Sequence, residues 1–350
     1  MAFTTINKST DYFSTNLYTG TGSALTITTG HQSDFIWIKQ RTTVRPHSLF
    51  DSVNSSNFAG GNSKYLVSNT YDPLTSDNST QITANSSTGF SIGTDNSDQI
   101  NNNGDTAVAW SWKANGQGSA NTDGTINTLY TSASATSGFS ISTYTGTGSA
   151  GTIGHGLGVA PTAIWIKKTS ATENWFCWNK GLTPAGGFLK LDRGGAASTN
   201  NTAFPWNPQA NTFGVSTDGA TNANGSTYVA YCFADVQGFS KMGSYTGNGN
   251  ANGIFQYLGF KPAYVLIKNT QANETWMLYD DKRGYNGSMA VLSPDETAAE
   301  ISANNIDLLS NGFKIRTSAS TLNTNAQLFI YMAFAEEPLV STNGNAATAR

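Results

Sequence analysis

Apolar and polar residues alternate along most of this chain. In FIWIKQR (35–41), Ile36 and Ile38 fall on one side, and Phe35, Trp37 and Lys39 on the other. Further on, Val108, Trp110 and Trp112 alternate with Ala109 and Ser111, and Val229, Tyr231 and Phe233 alternate with Ala230 and Cys232. A period of two is that of a strand with two distinct faces. Gly, Asn, Ser and Thr fill the stretches between, as turns require. One segment predicts a helix instead: in SPDETAAEIS (293–302), Ser293 can cap, Pro294 takes the first helical position and Glu296 lies three residues after the cap.

The alternating stretches recur in a fixed order. YTGTGSA stands at 18–24 and again at 144–150, and YTGNGNA at 245–251. Each is followed by an apolar strand, FIWIKQR, AIWIKKT (163–169) or YVLIKNT (264–270). From Trp37 to Phe50, Trp165 to Trp178 and Leu266 to Tyr279 the separation is 13 residues each time. A strand around Phe90, Phe213 or Phe313 follows, and each copy closes on AVAWSWKA, YVAYCFAD or FIYMAFAE. The chain therefore reads as an N-terminal segment (1–10), three repeats at 11–113, 137–235 and 237–336, a Gly/Asn/Ser/Thr-rich linker at 114–136 and a polar tail at 337–350. About 100 residues suffice for an independent core. The expected fold is all-β, with three tandem antiparallel β-sandwiches of jelly-roll or concanavalin-A-like order. The pairs Ile36/Ile38, Ile164/Ile166 and Val265/Ile267 are predicted to face the sandwich cores. Lys39, Lys167 and Lys268 are predicted to reach solvent from the opposite face, their stems laid on apolar surface.

Composition sharpens this picture. Of 350 residues only 12% are charged, whereas 11% are aromatic, so the chain has apolar mass that a disordered polar chain lacks. A net charge of -3 and the lack of any basic run argue against nucleic-acid binding. No apolar stretch is long enough to span a membrane, and the N-terminus lacks the pattern of a secretory signal. Cys177 and Cys232 are too few for a disulfide scaffold. Leu49 and Leu278 stand in the place of Cys177, and Ser111 and Ala333 in that of Cys232, which predicts packed thiols. A bond between the two would require neighbouring strands.

The opening MAFTTINKSTDYFSTNLYTGTGS, with DFIWIKQR, HSLFDSV, GFSIG and AVAWSWKA, resembles a repeated domain of virion proteins from marine tailed bacteriophages. The second copy's TGTGSAGTIGHGLGVAPTAIWIK and the third copy's GFKPAYVLIKNT, WMLYDDKRGYNG and IDLLSNGFKI resemble it too, so the likeness runs over the whole chain. Asn54 departs from it, where a basic residue is expected, and so does Ser111, where the closing strand often carries Cys. The resemblance implies a structural protein of the tail or virion surface with a lectin-like sandwich, in contact with other virion proteins. It carries no catalytic residues.

Candidate chemistry is sparse. His31, His47 and His155 have no second His or Cys at ligand spacing, which favours turn-capping roles. GTIGHGLG lacks the following helix that a phosphate cradle needs. Asp280 and Asp281 in DDKRG would suit Ca²⁺, but the sister copies hold Asp51-Ser52 and Asn179-Lys180, which favours a salt bridge to Lys282 or Arg283. The 22 acidic residues are scattered and define no hydrolytic pair. No catalytic residue, metal site or cofactor is expected. Trp175, Trp206 and Trp276, at strand starts or in loops, are the candidate contacts for a host-surface glycan or a partner subunit. Aromatics left outside the cores favour protein contacts, and three like surfaces suit self-association, most simply a homotrimer, or multivalent capture.

Overall fold

A computed structural model describes residues 4–61, 63–76, 80–182, 187–199 and 202–337. The first repeat contains β1 (Phe13–Thr19), β2 (Leu25–Thr28), β3 (Phe35–Gln40), β4 (Ser48–Asp51), β5 (Lys64–Val67), β6 (Thr75–Ser76), β7 (Ile82–Ser86), β8 (Gly89–Ile92) and β9 (Thr106–Trp112). β10 (Thr128–Ser134) precedes the second, which contains β11 (Phe139–Thr145), β12 (Gly151–Gly154), β13 (Ala163–Lys168), β14 (Phe176–Asn179), β15 (Thr212–Val215), the one-turn helix α1 (Gly219–Asn222) and β16 (Thr227–Phe233). The third contains β17 (Ser240–Thr246), β18 (Phe255–Tyr257), β19 (Lys261–Asn269), β20 (Met277–Asp280), β21 (Met289–Val291), β22 (Ile301–Ala303), β23 (Ile306–Leu309), β24 (Gly312–Ile315), the one-turn helix α2 (Ser320–Asn323) and β25 (Leu328–Glu337). Strand makes up 43% of the structure and helix 4%.

Among the described residues, every pairing between the named strands is antiparallel. The large sheets have the orders β1-β9-β3-β4-β5-β6, β10-β11-β16-β13-β14 and β17-β25-β19-β20. In each, the closing strand lies between the strand that leads into the glycine string and the strand built on WIK or its counterpart. Trp37 is thus opposite Trp110, Trp165 opposite Tyr231, and Leu266 opposite Met332. The smaller sheets are β2-β8-β7, β12-β15 and β18-β24-β23, with β21-β22 apart.

One face of each large sheet packs on the small sheet of its own repeat. Ile36, Ile38 and Phe50 meet Ile27, Phe90 and Ile92. Ile164, Ile166 and Trp178 meet Ile153, Phe213 and Val215. Val265, Ile267, Phe313 and Ile315 are likewise buried together. The branched pairs therefore face inward, as their alternation predicts.

The opposite face departs from expectation. Lys39, Lys167 and Lys268 do lie across from the branched pairs, but all three are buried rather than solvated. The reason is that the outer faces of the three large sheets pack on one another. Trp37, Trp110 and Trp112 share one cluster with Trp165, Tyr231 and Phe233 and with Leu266, Met332 and Phe334. The sequence-equivalent rings of Trp112, Phe233 and Phe334 converge, at centroid distances of 5.5 Å (Trp112–Phe334) and 6.1 Å (Phe233–Phe334). Trp37 meets Trp165 edge-on at 5.9 Å. Burying one such ring removes roughly 150–250 Å² from water, or about 4–6 kcal/mol of transfer free energy, so the shared core outweighs any single polar contact.

Two local expectations also change. Residues 293–302 form no helix: the Pro294 carbonyl accepts from Ser68 Oγ at 2.6 Å, the Thr297 carbonyl accepts from the Arg45 amide at 3.1 Å, and β22 begins at Ile301. Contacts with the first repeat hold this segment as a turn at 294–295 followed by irregular chain, against its local preference. The linker at 114–136 contains β10, an edge strand of the second large sheet. The β-branched and aromatic residues of TLYTSAS supply the strand preference that the flanking Gly and Asn mask. Residues 338–350, nearly all of the polar tail, lie outside the described residues.

Candidate functional site

Each glycine string is one side of a clamp. Tyr18, Tyr144 and Tyr245 donate their hydroxyls to the carbonyls of Ile100, Thr221 and Leu322 at 2.6, 2.6 and 2.7 Å. The residues that follow those carbonyls are the buried Asn101, Asn222 and Asn323. Through Oδ1 they accept from the amides of Thr21, Thr147 and Asn248, and through Nδ2 they donate to the carbonyls of Ser23, Ser149 and Asn250. A Cβ at Gly20, Gly146 or Gly247 would collide with the carbonyl oxygen of Asn102, Ala223 or Thr324. Gly22, Gly148 and Gly249 have φ of +64°, +72° and +66°, which favours glycine. The recurring heptad is thus a backbone fitting. The asparagines escaped the sequence reading because they lie far downstream in Asn-rich surroundings.

The three repeats join through seams that repeat cyclically. The amides of Leu74, Ala197 and Glu300 donate to the carbonyls of Thr169, Thr270 and Arg41 at 3.1, 2.8 and 2.8 Å. The first of these bonds ties repeat 1 to repeat 2, the second repeat 2 to repeat 3, and the third repeat 3 to repeat 1. The acceptors are equivalent positions, one past the end of β13, β19 and β3. Trp175 Nε1 donates to the Val67 carbonyl and Trp276 Nε1 to the Lys190 carbonyl, both at 2.9 Å. At the third seam the equivalent position is His47, whose Nδ1 accepts from Trp37 Nε1 at 2.9 Å. Burial lowers the His47 pKa well below its ordinary value; the Ser293 backbone favours the charged ring, although Nε2 makes no complete hydrogen bond.

Two of the three buried lysines staple these seams. Lys167 Nζ donates to Tyr71 of the first repeat at 3.2 Å and to the Lys168 and Glu173 carbonyls at 3.2 and 2.8 Å. Lys268 Nζ donates to Gly194 of the second repeat at 2.8 Å and to the Asn269 carbonyl at 2.7 Å. Lys39 Nζ holds the Gln40 and Thr43 carbonyls at 2.6 and 3.3 Å, while the neighbouring Arg41 forms a two-pronged pair with Glu300 of the third repeat at 2.9 and 2.8 Å. Burial pushes each lysine down to about 8. An ammonium has three donors, so it suits a pocket of carbonyls that no apolar side chain would satisfy.

A polar residue at the end of β4, β14 and β20 faces the closing strand of the next repeat. Asp51 accepts from Tyr231 OH at 2.7 Å, and Asp280 accepts from Trp110 Nε1 at 2.9 Å. Asp280 also pairs with the buried Arg283, as expected, and Asp51 accepts instead from Asn54, three residues on, at 2.7 Å. Asn54 thus fills the place where a basic residue is expected. At the remaining seam the facing residue is Met332, which has no donor, and the second repeat has Asn179 in place of an acid.

The histidines are likewise occupied. His31 holds the Thr10 carbonyl at 2.8 Å and lies 3.1 Å from Ser111 Oγ, and burial pushes it down to about 4. His155 Nε2 meets the Gln209 carbonyl at 3.1 Å. Cys177 and Cys232 are free and buried. Among the described residues, no three His, Cys, Asp or Glu side chains are grouped to hold a metal ion, and no helix is long and apolar enough to cross a membrane. Of the three candidate tryptophans, Trp175 and Trp276 are buried in the seams, closed to a glycan. Trp206 is 49% exposed and lies over Gly214 of β15, where a Cβ would strike its ring.

These features define an all-β protein in which three like sheets close on a common aromatic core. The chain belongs to the family described as a domain of unknown function, DUF7483, whose model matches residues 8–338 as one stretch. Comparison with curated proteins gave no match.

Proposed function

We propose that this protein is a non-enzymatic structural component of a tailed-bacteriophage particle, on the tail or capsid surface, with a part in assembly or host attachment. In this reading the repeats 11–113, 137–235 and 237–336 are three β-sandwich domains of jelly-roll-like order, welded into one unit. The cyclic seam carries the proposal. Of the groups that ordinarily do chemistry, Lys167, Lys268, Asp51 and Asp280 are occupied in bonds that cross the seams, and His31 and Lys39 in bonds within the first third of the chain. Such a rigid unit suits a framework or spacer role, and the sequence resemblance supplies the particle. The seam faces are head-to-tail and are all engaged within one chain, so a homotrimer has no free face through them. We therefore favour a monomer that contacts other virion proteins. Peptide mass mapping and immunogold labelling of purified particles test this: stoichiometric copies on tail or capsid are expected, and absence from particles would overturn it.

One observation favours a second reading, a lectin-like module. Trp206 sets the Cε3 edge of its ring against Gly214 and remains half exposed, which leaves ring surface on which a sugar could stack. A glycan array read with wild type and Trp206→Ala decides. Binding abolished by the substitution, at unchanged melting temperature, supports this reading; a blank array removes it.

A further inference from the structure

The three large sheets treat the same edge in three different ways. In the second repeat β10 covers β11, with Thr131 opposite Ser142. Just upstream, the Ile126 amide donates to the Thr152 carbonyl of β12 at 2.9 Å, so one segment closes both sheets on that side. Thr131 and Ala133 fill the space between them: a Cβ at Gly156 would lie 3.1 Å from Ala133 Cβ and 3.2 Å from Thr131 Cγ2. In the third repeat the edge strand is β17, and the equivalent groove of about 390 Å³ is crossed by Lys241, whose Nζ donates to the Tyr257 carbonyl at 3.0 Å. In the first repeat the edge strand is β1, and among the described residues no strand pairs with its outer side; Lys282 of the third repeat lines the groove, its Nζ 3.0 Å from Asp281. The groove volume is about 430 Å³, and Thr15, Asn16, Thr28, Gly30 and Asp281 contribute to its lining. Thr15 Oγ1 there is buried without a hydrogen-bond partner.

We infer that this open side of the first repeat accepts an extended segment of another polypeptide, rich in Thr, Ser and Ala, which adds antiparallel to β1 as β10 adds to β11. Strand addition to a free edge gives affinity through backbone bonds and selects small side chains by the space beneath them. The seated β10 shows which chemistry fits, because Asn16 occupies the place of Ser142: Asn16 Nδ2 donates to the Thr28 carbonyl at 2.9 Å, and Ser142 Oγ to the Gly154 carbonyl at 3.1 Å. The register follows too. Thr131 exchanges backbone bonds with Ser119 on its far side, at 2.6 and 3.3 Å. The bonds from β10 to β11 therefore fall at Ser132–Ile141 and Tyr130–Thr143. Ile141 pairs with Tyr231 and Thr15 with Trp110, so the outward amides of β1 are those of Thr15 and Leu17.

The test uses the full chain and a fluorescent peptide of sequence GTINTLYTSAS, residues 124–134. Saturable binding by fluorescence anisotropy is expected, weakened at least tenfold in Leu17→Pro. Proline is tolerated on an edge strand where the missing N–H points outward, so the melting temperature should change little. Hydrogen exchange on the wild type is the second readout, independent of the variant: the Thr15 and Leu17 amides should gain protection only when peptide is present. Three outcomes would overturn the inference. One is no saturable binding. Another is binding unchanged by Leu17→Pro, which would mean displacement of β10. The third is protection of both amides by raising the protein concentration alone, which would assign the edge to a second copy.

Discussion

The seam between the first and second repeats and the seam between the second and third differ at one pair. In the former, Tyr231 donates to buried Asp51; in the latter, Met332 and buried Asn179 line one small cavity. Asn179 accepts from the Gly181 amide at 2.8 Å and reaches the Tyr331 carbonyl at 3.5 Å. The comparison teaches that a buried acid is kept where the next repeat offers a donor. Without one, the charge would be stranded at a cost of several kcal/mol, and a neutral amide that can both accept and donate replaces it.

Asn179→Asp should break this rule with the largest effect, a loss of about 3 kcal/mol or more in urea unfolding at pH 7. A buried carboxyl that receives no donor from the next repeat has a raised pKa, so the folded state binds the extra proton. The loss should therefore shrink as the pH is lowered toward 4. Adding Met332→Tyr restores the donor of the first seam and should recover part of the loss. A double variant no better than the single one would show that the pairing is incidental.

Lys268→Met should follow, at roughly 2–4 kcal/mol, because the buried Asn269 carbonyl and the part-buried Gly194 carbonyl lose their donor. The lysines also set a pH dependence. Each is pushed down to about 8 in the folded protein. Above that pH the folded state releases protons while the unfolded chain, with lysine near 10.4, keeps them, so stability should rise between about pH 8 and 9.5. In Lys268→Met the rise should be smaller by about a third. A flat profile in wild type would mean that the ammonium groups keep their ordinary affinity for protons.

The smallest effect is expected for Cys177→Leu, within about 1.5 kcal/mol, because both sister positions are leucine and the site is apolar. A larger loss by thermal melting would mean that the second seam is shaped around a smaller side chain than its sisters.

Much of the fold was legible in the sequence because it is local and repeated. The alternation in FIWIK set the inward face of β3, and the fixed 13-residue spacing marked equivalent strands. What the far face meets is a different matter: period two separates faces without saying what covers them. Lys39 shows this: a lysine beside Trp37 reads as a surface residue until a second sheet arrives. The segment at 293–302 carries helix signals that are overridden by Ser68, Arg41 and Arg45 from more than 200 residues away. Of the candidate contacts, Trp175 and Trp276 read as loop aromatics, yet each is aligned with His47, whose burial has the same cause. Only Trp206, which has no counterpart in the other repeats, remains open.

The cyclic seam also governs how this molecule comes apart. A stacked array of repeats can fray from its ends, because each terminal unit has a single neighbour. Here every unit has two: the Glu300–Arg41 bonds close the circle, and Phe13, near the start of the chain, stacks on Phe334, near its end, at 5.2 Å. Loosening any third of the molecule breaks two seams and uncovers the aromatic centre. The protein has no weak end, and its three parts stand or melt together.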